Sequence, residues 1–160
     1  MKTNRVIIKT PLGNAILEGN DLGISRLTLT DEALEPTPHP APQLTEAIAQ
    51  LEQYFKGERK EFDLRLNPEG TDFQKKVWQL LQKVTYGRTS SYKELSNDFG
   101  NPLAIRAVAA ANGKNPLWIL IPCHRIIGSD GSLTGYAGGL WRKKWLLEHE
   151  QMEKQQSLAL

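Results

Sequence analysis

One cysteine, Cys123, stands in the run Leu120-Ile121-Pro122-Cys123-His124-Arg125. A cysteine reacts as the thiolate, and a neighbouring base or cation raises the thiolate fraction. His124 and Arg125 supply both kinds of neighbour directly in sequence. The run therefore predicts a nucleophilic thiol, although a lone cysteine is also commonly a small buried hydrophobic residue. The run alone favours neither interpretation.

The composition is that of an ordinary globular chain of 160 residues, with 39% hydrophobic and 24% charged residues. A single cysteine excludes an internal disulfide and a cysteine-based zinc cluster, which is typical of a reducing, intracellular setting. The first residues lack an apolar signal core, and no run approaches the ~20 apolar residues that span a bilayer. We therefore expect a cytoplasmic protein that uses no membrane, metal or cofactor.

Basic residues are concentrated near the cysteine, although the whole chain carries a net charge of only +2. Between residues 75 and 125 the acids are Glu94 and Asp98, and the bases are Lys75, Lys76, Lys83, Arg88, Lys93, Arg106, Lys114 and Arg125. This imbalance permits nucleic acid as a partner. A solvated helix face is the more common explanation of a charged segment.

Two segments must position these residues, an N-terminal one over 1–70 and a C-terminal one over 71–160. Apolar residues alternate loosely over 5–30 with turn residues between them, which predicts a small antiparallel sheet. A helical period over 43–56 follows a proline-rich loop, and alternation over 62–66 predicts one more strand. We expect the N-terminal segment to be a structural α/β lobe.

The C-terminal segment is predicted to be mostly helical. A short helix, a turn at Gly100 and a second helix beginning at Pro102 predict a helix-turn-helix of winged-helix-like type. An apolar strand over 117–121 and a glycine-rich loop over 128–139 follow. A last amphipathic helix is predicted over 140–150.

Alanine dominates the second helix of the pair, in which Arg106 is the only charged residue between Leu103 and Ala111. Small side chains let a helix backbone approach a partner closely, which suits a narrow groove. An alanine-rich helix in a protein core has the same periodicity. The pattern alone leaves both interpretations open.

Five blocks at these spacings resemble the O6-alkylguanine-DNA alkyltransferases. They are Pro122-Cys123-His124-Arg125, Asn115-Pro116, Arg106-Ala107-Val108, Gly135-Tyr136-Ala137-Gly138-Gly139 and Trp145-Leu146-Leu147-Glu148-His149-Glu150. The resemblance runs without gaps from about Phe73 to Glu150 and is looser before it. It implies an enzyme that moves an alkyl group irreversibly from guanine O6, or less readily thymine O4, to its own cysteine. Each molecule of such an enzyme would react once.

The resemblance also implies the roles of the reacting residues. Cys123 matches the alkyl acceptor, His124 the base that activates it through a water, and Glu150 the carboxylate that orients His124. Asn115 matches the hinge that holds the active-site loop, and Tyr92 the tyrosine that crowds the phosphate and donates toward the purine. Taken singly, these residues could equally be a structural histidine, a surface glutamate, a turn asparagine and a core tyrosine.

The same resemblance implies double-stranded DNA containing O6-alkylguanine as the partner. Guanine O6 lies inside the base stack, so the base must be flipped out, and Arg106 matches the residue that fills the gap. The family places its recognition helix in the minor groove, which the alanine-rich face fits. We expect DNA contacts from Arg106, Ala107, Ala110 and Arg125, mostly to phosphates.

Trp118, Tyr136, Ala137 and Gly138 match the pocket that holds the base. Ala137 replaces a serine found in many relatives, and Trp118 stands where a smaller residue or proline is common. The sequence therefore leaves the range of accepted adducts open, and no second cysteine supports the zinc site of some relatives. We expect a monomer, and the sequence does not decide whether it binds DNA cooperatively.

Three other functions fit part of the pattern. A lesion-binding protein on the same scaffold would replace the acceptor, commonly by tryptophan, and Cys123 argues against it. A cysteine hydrolase could use a Cys-His-Glu set, but it would turn over repeatedly and leaves Arg106 unexplained. A helix-turn-helix regulator is the third alternative, and we expect no fused regulatory module within 160 residues.

Overall fold

The structure is a computed structural model that describes the backbone of residues 2–159 and the side chains of residues 2–151. The chain forms two compact units. The first consists of Met1–Glu69 with Pro116–Leu120, and the second of Gly70–Asn115 with Ile121–Leu160. A short piece of the C-terminal segment, Pro116–Leu120, thus belongs to the first unit.

The first unit is built on an antiparallel sheet with strand order β1-β2-β3, as the alternation over 5–30 predicts. The strands are β1 (Asn4–Thr10), β2 (Gly13–Asn20) and β3 (Gly23–Thr30). One helix, α1 (Pro42–Phe55), packs on this sheet through its buried apolar side. The core between them is lined by Val6, Leu17, Leu27, Leu44 and Leu51. The prediction of a small sheet with one helix is confirmed.

The predicted strand over 62–66 is wrong. Within this stretch a single bridge joins Leu66 to Ile24, whose N–H donates to the Arg65 carbonyl at 2.9 Å. Apolar alternation reports which side chains face the core, and it does not require a full ladder of hydrogen bonds. The segment therefore lies along the edge of β3 without forming a strand.

The predicted strand over 117–121 is also wrong. Leu117 forms one parallel bridge with Leu27, and the Trp118 N–H donates to the Leu27 carbonyl at 2.9 Å. Two residues later Ile119 has a φ of 74°, in the left-handed region that β-branched residues rarely adopt. This conformation ends the extended backbone, and the apolar run forms a buried turn instead of a strand.

The second unit is mostly helical, as predicted. Its helices are α2 (Asp72–Leu81), α3 (Tyr92–Phe99), α4 (Ile105–Gly113) and α5 (Leu140–Ala159). Thr71 begins α2 with a complete capping box, in which its hydroxyl accepts from the Gln74 N–H at 3.1 Å. The indole N–H of Trp78 donates to the Ala111 carbonyl at 2.8 Å and ties α2 to α4.

The helix-turn-helix is formed by α3 and α4. Gly100 ends α3 with a φ of 97°, a left-handed conformation that glycine adopts without steric cost. The helix predicted to begin at Pro102 starts instead as a 3₁₀ turn over Pro102–Ala104, capped by the Asn101 side chain, and α4 begins at Ile105.

Two features of this unit differ from the sequence predictions. A short parallel pair, β4 (Ser90–Ser91) with β5 (Ile126–Ile127), links the start of α3 to the residues after the cysteine. Two-residue strands have no detectable period, so they were not predictable. The last helix continues to Ala159, beyond the predicted end at 150, because residues 151–159 are mostly good helix formers. Within residues 2–159 no helix is both long and apolar enough to cross a bilayer.

Candidate active site

Cys123 opens a single 3₁₀ turn, Cys123–Arg125, directly after Pro122. Its side chain is buried, and burial raises the pKa of the thiol to about 11. A hydrogen bond from the Asn115 side chain and the positive charge of Lys143 act in the opposite direction. The resting cysteine is therefore a protonated thiol at neutral pH, and a base must remove its proton when it reacts.

Asn115 joins this turn to the end of α4. Its side chain is buried, and its Nδ2 donates to the Ile121 carbonyl at 2.8 Å. The same side chain hydrogen-bonds to Cys123. Asn115 thus fixes the backbone on the approach to Pro122 and also contacts the reacting residue.

His124 and Glu150 form a fully buried pair with 2.7 Å between Nε2 and Oε2. Because the carboxylate accepts a hydrogen bond, the proton of a neutral imidazole lies on Nε2, and Nδ1 keeps its lone pair. Nδ1 is buried and has no hydrogen-bond partner among the described residues. Burial lowers the pKa of His124, and this outweighs the opposing effect of Glu150. The imidazole is consequently neutral and able to accept a proton.

Arg125, which is predicted to contact DNA, lies inside the protein beside Glu150. It is only 6% exposed, and its Nε and Nη2 donate to the two oxygens of Glu150 at 2.8 and 3.1 Å. Its Nη1 donates to the Val84 carbonyl at 2.7 Å. Three of the five N–H groups of Arg125 are thus engaged inside the protein, so the residue belongs to the buried cluster, and its contact with DNA stays a prediction.

The shared carboxylate explains the charge state of the whole cluster. Burial by itself would raise the pKa of Glu150, but His124 and Arg125 together hold it well below its usual range. Arg125 balances the negative charge permanently, so Glu150 does not need a protonated His124 as its counterion. The arrangement leaves the imidazole neutral at rest and provides a carboxylate beside it once it is protonated.

Lys143 is a site residue that the sequence analysis missed. It is fully buried on α5, and its Nζ donates to the carbonyls of Ile126, Thr134 and Gly135. Burial lowers its pKa to about 8, and the nearby Cys123 opposes that shift. Its spacing from Leu146 and Glu150 along one face of the last helix was the available signal, but a lysine among such residues is usually interpreted as exposed.

The glycine-rich loop over 128–139 lies against the reacting residues. The hydroxyl of Tyr136 is buried, and both burial and the nearby Cys123 raise its pKa well above the usual value. Gly138 is buried and its carbonyl accepts from Arg142 Nη1 at 3.0 Å, whereas Ala137 is exposed. The loop thus reaches from the surface to the thiol.

Tyr92 stands at the start of α3 and contacts the same loop. Its hydroxyl donates to the Thr134 carbonyl at 3.3 Å. Trp118, by contrast, belongs to the first unit, and its place at the edge of the base pocket stays a prediction.

One face of α4 is buried and the other is exposed, so its alanines are divided between the core and the surface. Val108 and Ala111 are in the core, whereas Arg106, Ala107 and Ala110 are exposed. The predicted DNA-contacting residues of this helix therefore share its outer face.

Among the described residues, no group of three or more His, Cys, Asp or Glu could hold a metal ion.

Comparison with known families gives matches over almost the whole chain. Residues 72–152 match the model described as 6-O-methylguanine DNA methyltransferase, DNA binding domain. Residues 5–68 match the model described as 6-O-methylguanine DNA methyltransferase, ribonuclease-like domain.

Individual relatives agree with the family match. The methylated-DNA–protein-cysteine methyltransferase of Methanosarcina barkeri is 48% identical over 151 residues, covering 91% of this chain and 95% of the relative. The crystal structure of the Mycobacterium tuberculosis O6-methylguanine methyltransferase superposes with a TM-score of 0.85 at 42% identity, covering 95% and 94% of the two chains. The M. tuberculosis OGT in complex with DNA gives a TM-score of 0.83 at 43% identity, covering 92% of each chain.

Proposed function

Because the chain belongs to the 6-O-methylguanine DNA methyltransferase family, we propose that it repairs DNA by moving an alkyl group from guanine O6 to Cys123. The transfer is irreversible and consumes the protein. The observation that carries this proposal is the buried hydrogen bond between His124 Nε2 and Glu150, which leaves Nδ1 of the residue that follows the only cysteine able to accept a proton. O4-alkylthymine is the less reactive substrate.

The proposed reaction is a single displacement at carbon. The thiol proton of Cys123 passes to Nδ1 of His124 through a water, the sulfur–carbon bond forms, and the bond from carbon to O6 breaks. The departing purine regains a proton, for which Tyr92 is the proposed donor. His124 becomes an imidazolium that faces the Glu150 carboxylate, which stabilises it. The product is a thioether, a poor leaving group, so the reaction ends there.

The proposed substrate is a base flipped out of double-stranded DNA. The exposed face of α4, with Arg106, Ala107 and Ala110, supports entry into the minor groove, and Arg106 fills the gap left by the base. Tyr136, Ala137 and Gly138 form the proposed base pocket. Segment 71–160 thus binds DNA and accepts the alkyl group, and segment 1–70 is structural. The protein acts as a cytoplasmic monomer without a cofactor.

Stoichiometry tests the proposal against a hydrolase. With excess duplex carrying one O6-methylguanine, transfer should stop at one repaired base per chain, because no second thiol exists to regenerate Cys123. The measurement is a count of repaired bases against protein concentration at completion. Repeated turnover with an unmodified protein would contradict the proposal.

Arg106→Ala should slow transfer from duplex DNA much more than transfer from a free O6-alkylguanine base, because only the duplex requires flipping. Flipping costs a few kcal/mol, so removing a residue that supports it should reduce the duplex rate by about tenfold or more. Arg5→Ala, at an exposed arginine of β1 in the other unit, is the matched control. Equal losses on both substrates would contradict this role for Arg106.

A further inference from the structure

Two of the exposed large apolar residues of the second unit lie where the helix-turn-helix enters its second helix, α4, which is the recognition helix of the proposed DNA complex. Leu103 is 93% exposed and Ile105 is 38% exposed. The fully or nearly fully buried apolar side chains of α4 are Val108 and Ala111. A single exposed apolar side chain is common on protein surfaces, but exposed apolar residues that form a patch with a polar rim often mark an interaction surface.

The backbone that carries Leu103 is held in place. Its N–H donates to the Asn101 side chain at 3.1 Å, and the N–H of Ala104 donates to the Asn101 carbonyl at 3.0 Å. The turn leading into it contains Gly100 in its left-handed conformation. Leu103 is therefore presented from a structured turn, and little ordering is required when a partner covers it.

The charge around these two residues indicates the kind of partner. Arg106 follows on the same exposed face, and Lys114 is exposed at the opposite end of α4. Between Asn101 and Lys114 there is no acidic residue. An apolar pair within a purely basic face matches the minor groove of DNA, whose phosphate edges are anionic and whose sugars and base edges offer apolar contact.

We propose that Leu103 and Ile105 form an apolar wedge that packs into the minor groove beside the base pair engaged by Arg106. The wedge contacts deoxyribose and base edges and loosens stacking there. The free energy needed to extrude the damaged nucleotide is therefore lower once the protein is bound. This inference rests on the proposed function, and it adds a positioning element that acts only on duplex substrates.

Leu103→Ala tests the wedge. We expect methyl transfer from a duplex containing O6-methylguanine to slow by about tenfold, the size expected from losing the burial of one leucine side chain. Transfer from the free base O6-benzylguanine should keep its rate, because no groove is involved. Leu103→Met, which retains an apolar side chain, should restore the duplex rate. The matched control is Leu22→Ala, since Leu22 is 55% exposed in the turn between β2 and β3.

The salt dependence of duplex binding separates a wedge from an electrostatic contact. The slope of log binding constant against log salt reports the number of phosphates neutralised. Leu103→Ala should weaken binding without changing that slope, whereas Arg106→Ala should change it if Arg106 contacts a phosphate. An altered slope for Leu103→Ala would overturn the wedge.

Two further outcomes would also overturn the inference. One is a Leu103→Ala protein that transfers methyl from duplex DNA as fast as an active wild-type protein. The other is a wild-type protein that is dimeric without DNA and becomes monomeric on Leu103→Ala, which would assign the patch to self-association. A wild-type protein that leaves Cys123 unmodified with both substrates would instead overturn the proposed function itself.

Discussion

Glu150→Gln should lower the free energy of unfolding by about 3–5 kcal/mol, the range expected when one partner of a buried ion pair is removed. Glu150 is fully buried and is the only carboxylate described as an ion-pair partner of Arg125 and His124. The amide has no negative charge, so the buried guanidinium would lose its counterion. Chemical denaturation at neutral pH measures the effect.

The same variant should slow alkyl transfer by about 100-fold or more, because general-base catalysis contributes at least that much. Glutamine cannot stabilise the imidazolium that forms when His124 takes the thiol proton. The rate should be measured where circular dichroism shows that the variant is folded, so that lost stability does not imitate lost chemistry.

Glu148→Gln is the matched control, since Glu148 lies on the same helix, is 62% exposed and pairs with the exposed Lys144 at 3.9 Å. Its free energy of unfolding should change by no more than about 0.5 kcal/mol. A Glu150→Gln protein that kept wild-type stability and rate would contradict the role of the buried cluster.

Lys143→Met should destabilise the protein by at least about 1–3 kcal/mol, the cost of one unsatisfied buried polar group. Three carbonyls, those of Ile126, Thr134 and Gly135, would lose their common donor. Transfer should also slow at neutral pH, because the positive charge that lowers the pKa of Cys123 would be gone. Lys144→Met, at the exposed neighbouring residue, is the control.

The pH dependence of stability gives Lys143 a separate signature. Its pKa is about 8 in the folded protein and 10.5 ordinarily, so above pH 8 the unfolded chain binds the extra proton and stability rises with pH. Cys123 opposes this only above its ordinary value of 9.0, because its folded pKa is about 11. Wild-type stability should therefore rise between about pH 8 and 9, and this rise should be absent from Lys143→Met. A Lys143→Met protein with an unchanged rise would contradict a depressed lysine pKa.

Local sequence signals predicted the parts of the molecule that depend on neighbouring residues. The capping box at Thr71, the left-handed stop at Gly100 and the alternation of the first sheet each depend on residues within one turn or one strand. The run around Cys123 likewise indicated a thiol with an adjacent base. The family resemblance was available because its five blocks are close together in sequence.

The features that the sequence did not predict, or predicted wrongly, depend on contacts between residues distant in sequence. The buried position of Arg125 was not predictable, because its partner Glu150 lies 25 residues away on the last helix. Lys143 was missed because its acceptors are backbone carbonyls, which have no sequence signal. The strand predicted over 117–121 failed because burial on all sides and strand pairing produce the same apolar run.

Intact mass spectrometry with peptide mapping shows whether Cys123 itself becomes the alkyl carrier. The protein is incubated with duplex DNA containing one O6-methylguanine, and its mass is compared with that of untreated protein. We expect a gain of a single CH₂ unit, the methyl replacing the thiol proton, located on the peptide that contains Cys123. Repaired DNA together with an unmodified Cys123, or a methyl group on any other residue, would contradict it.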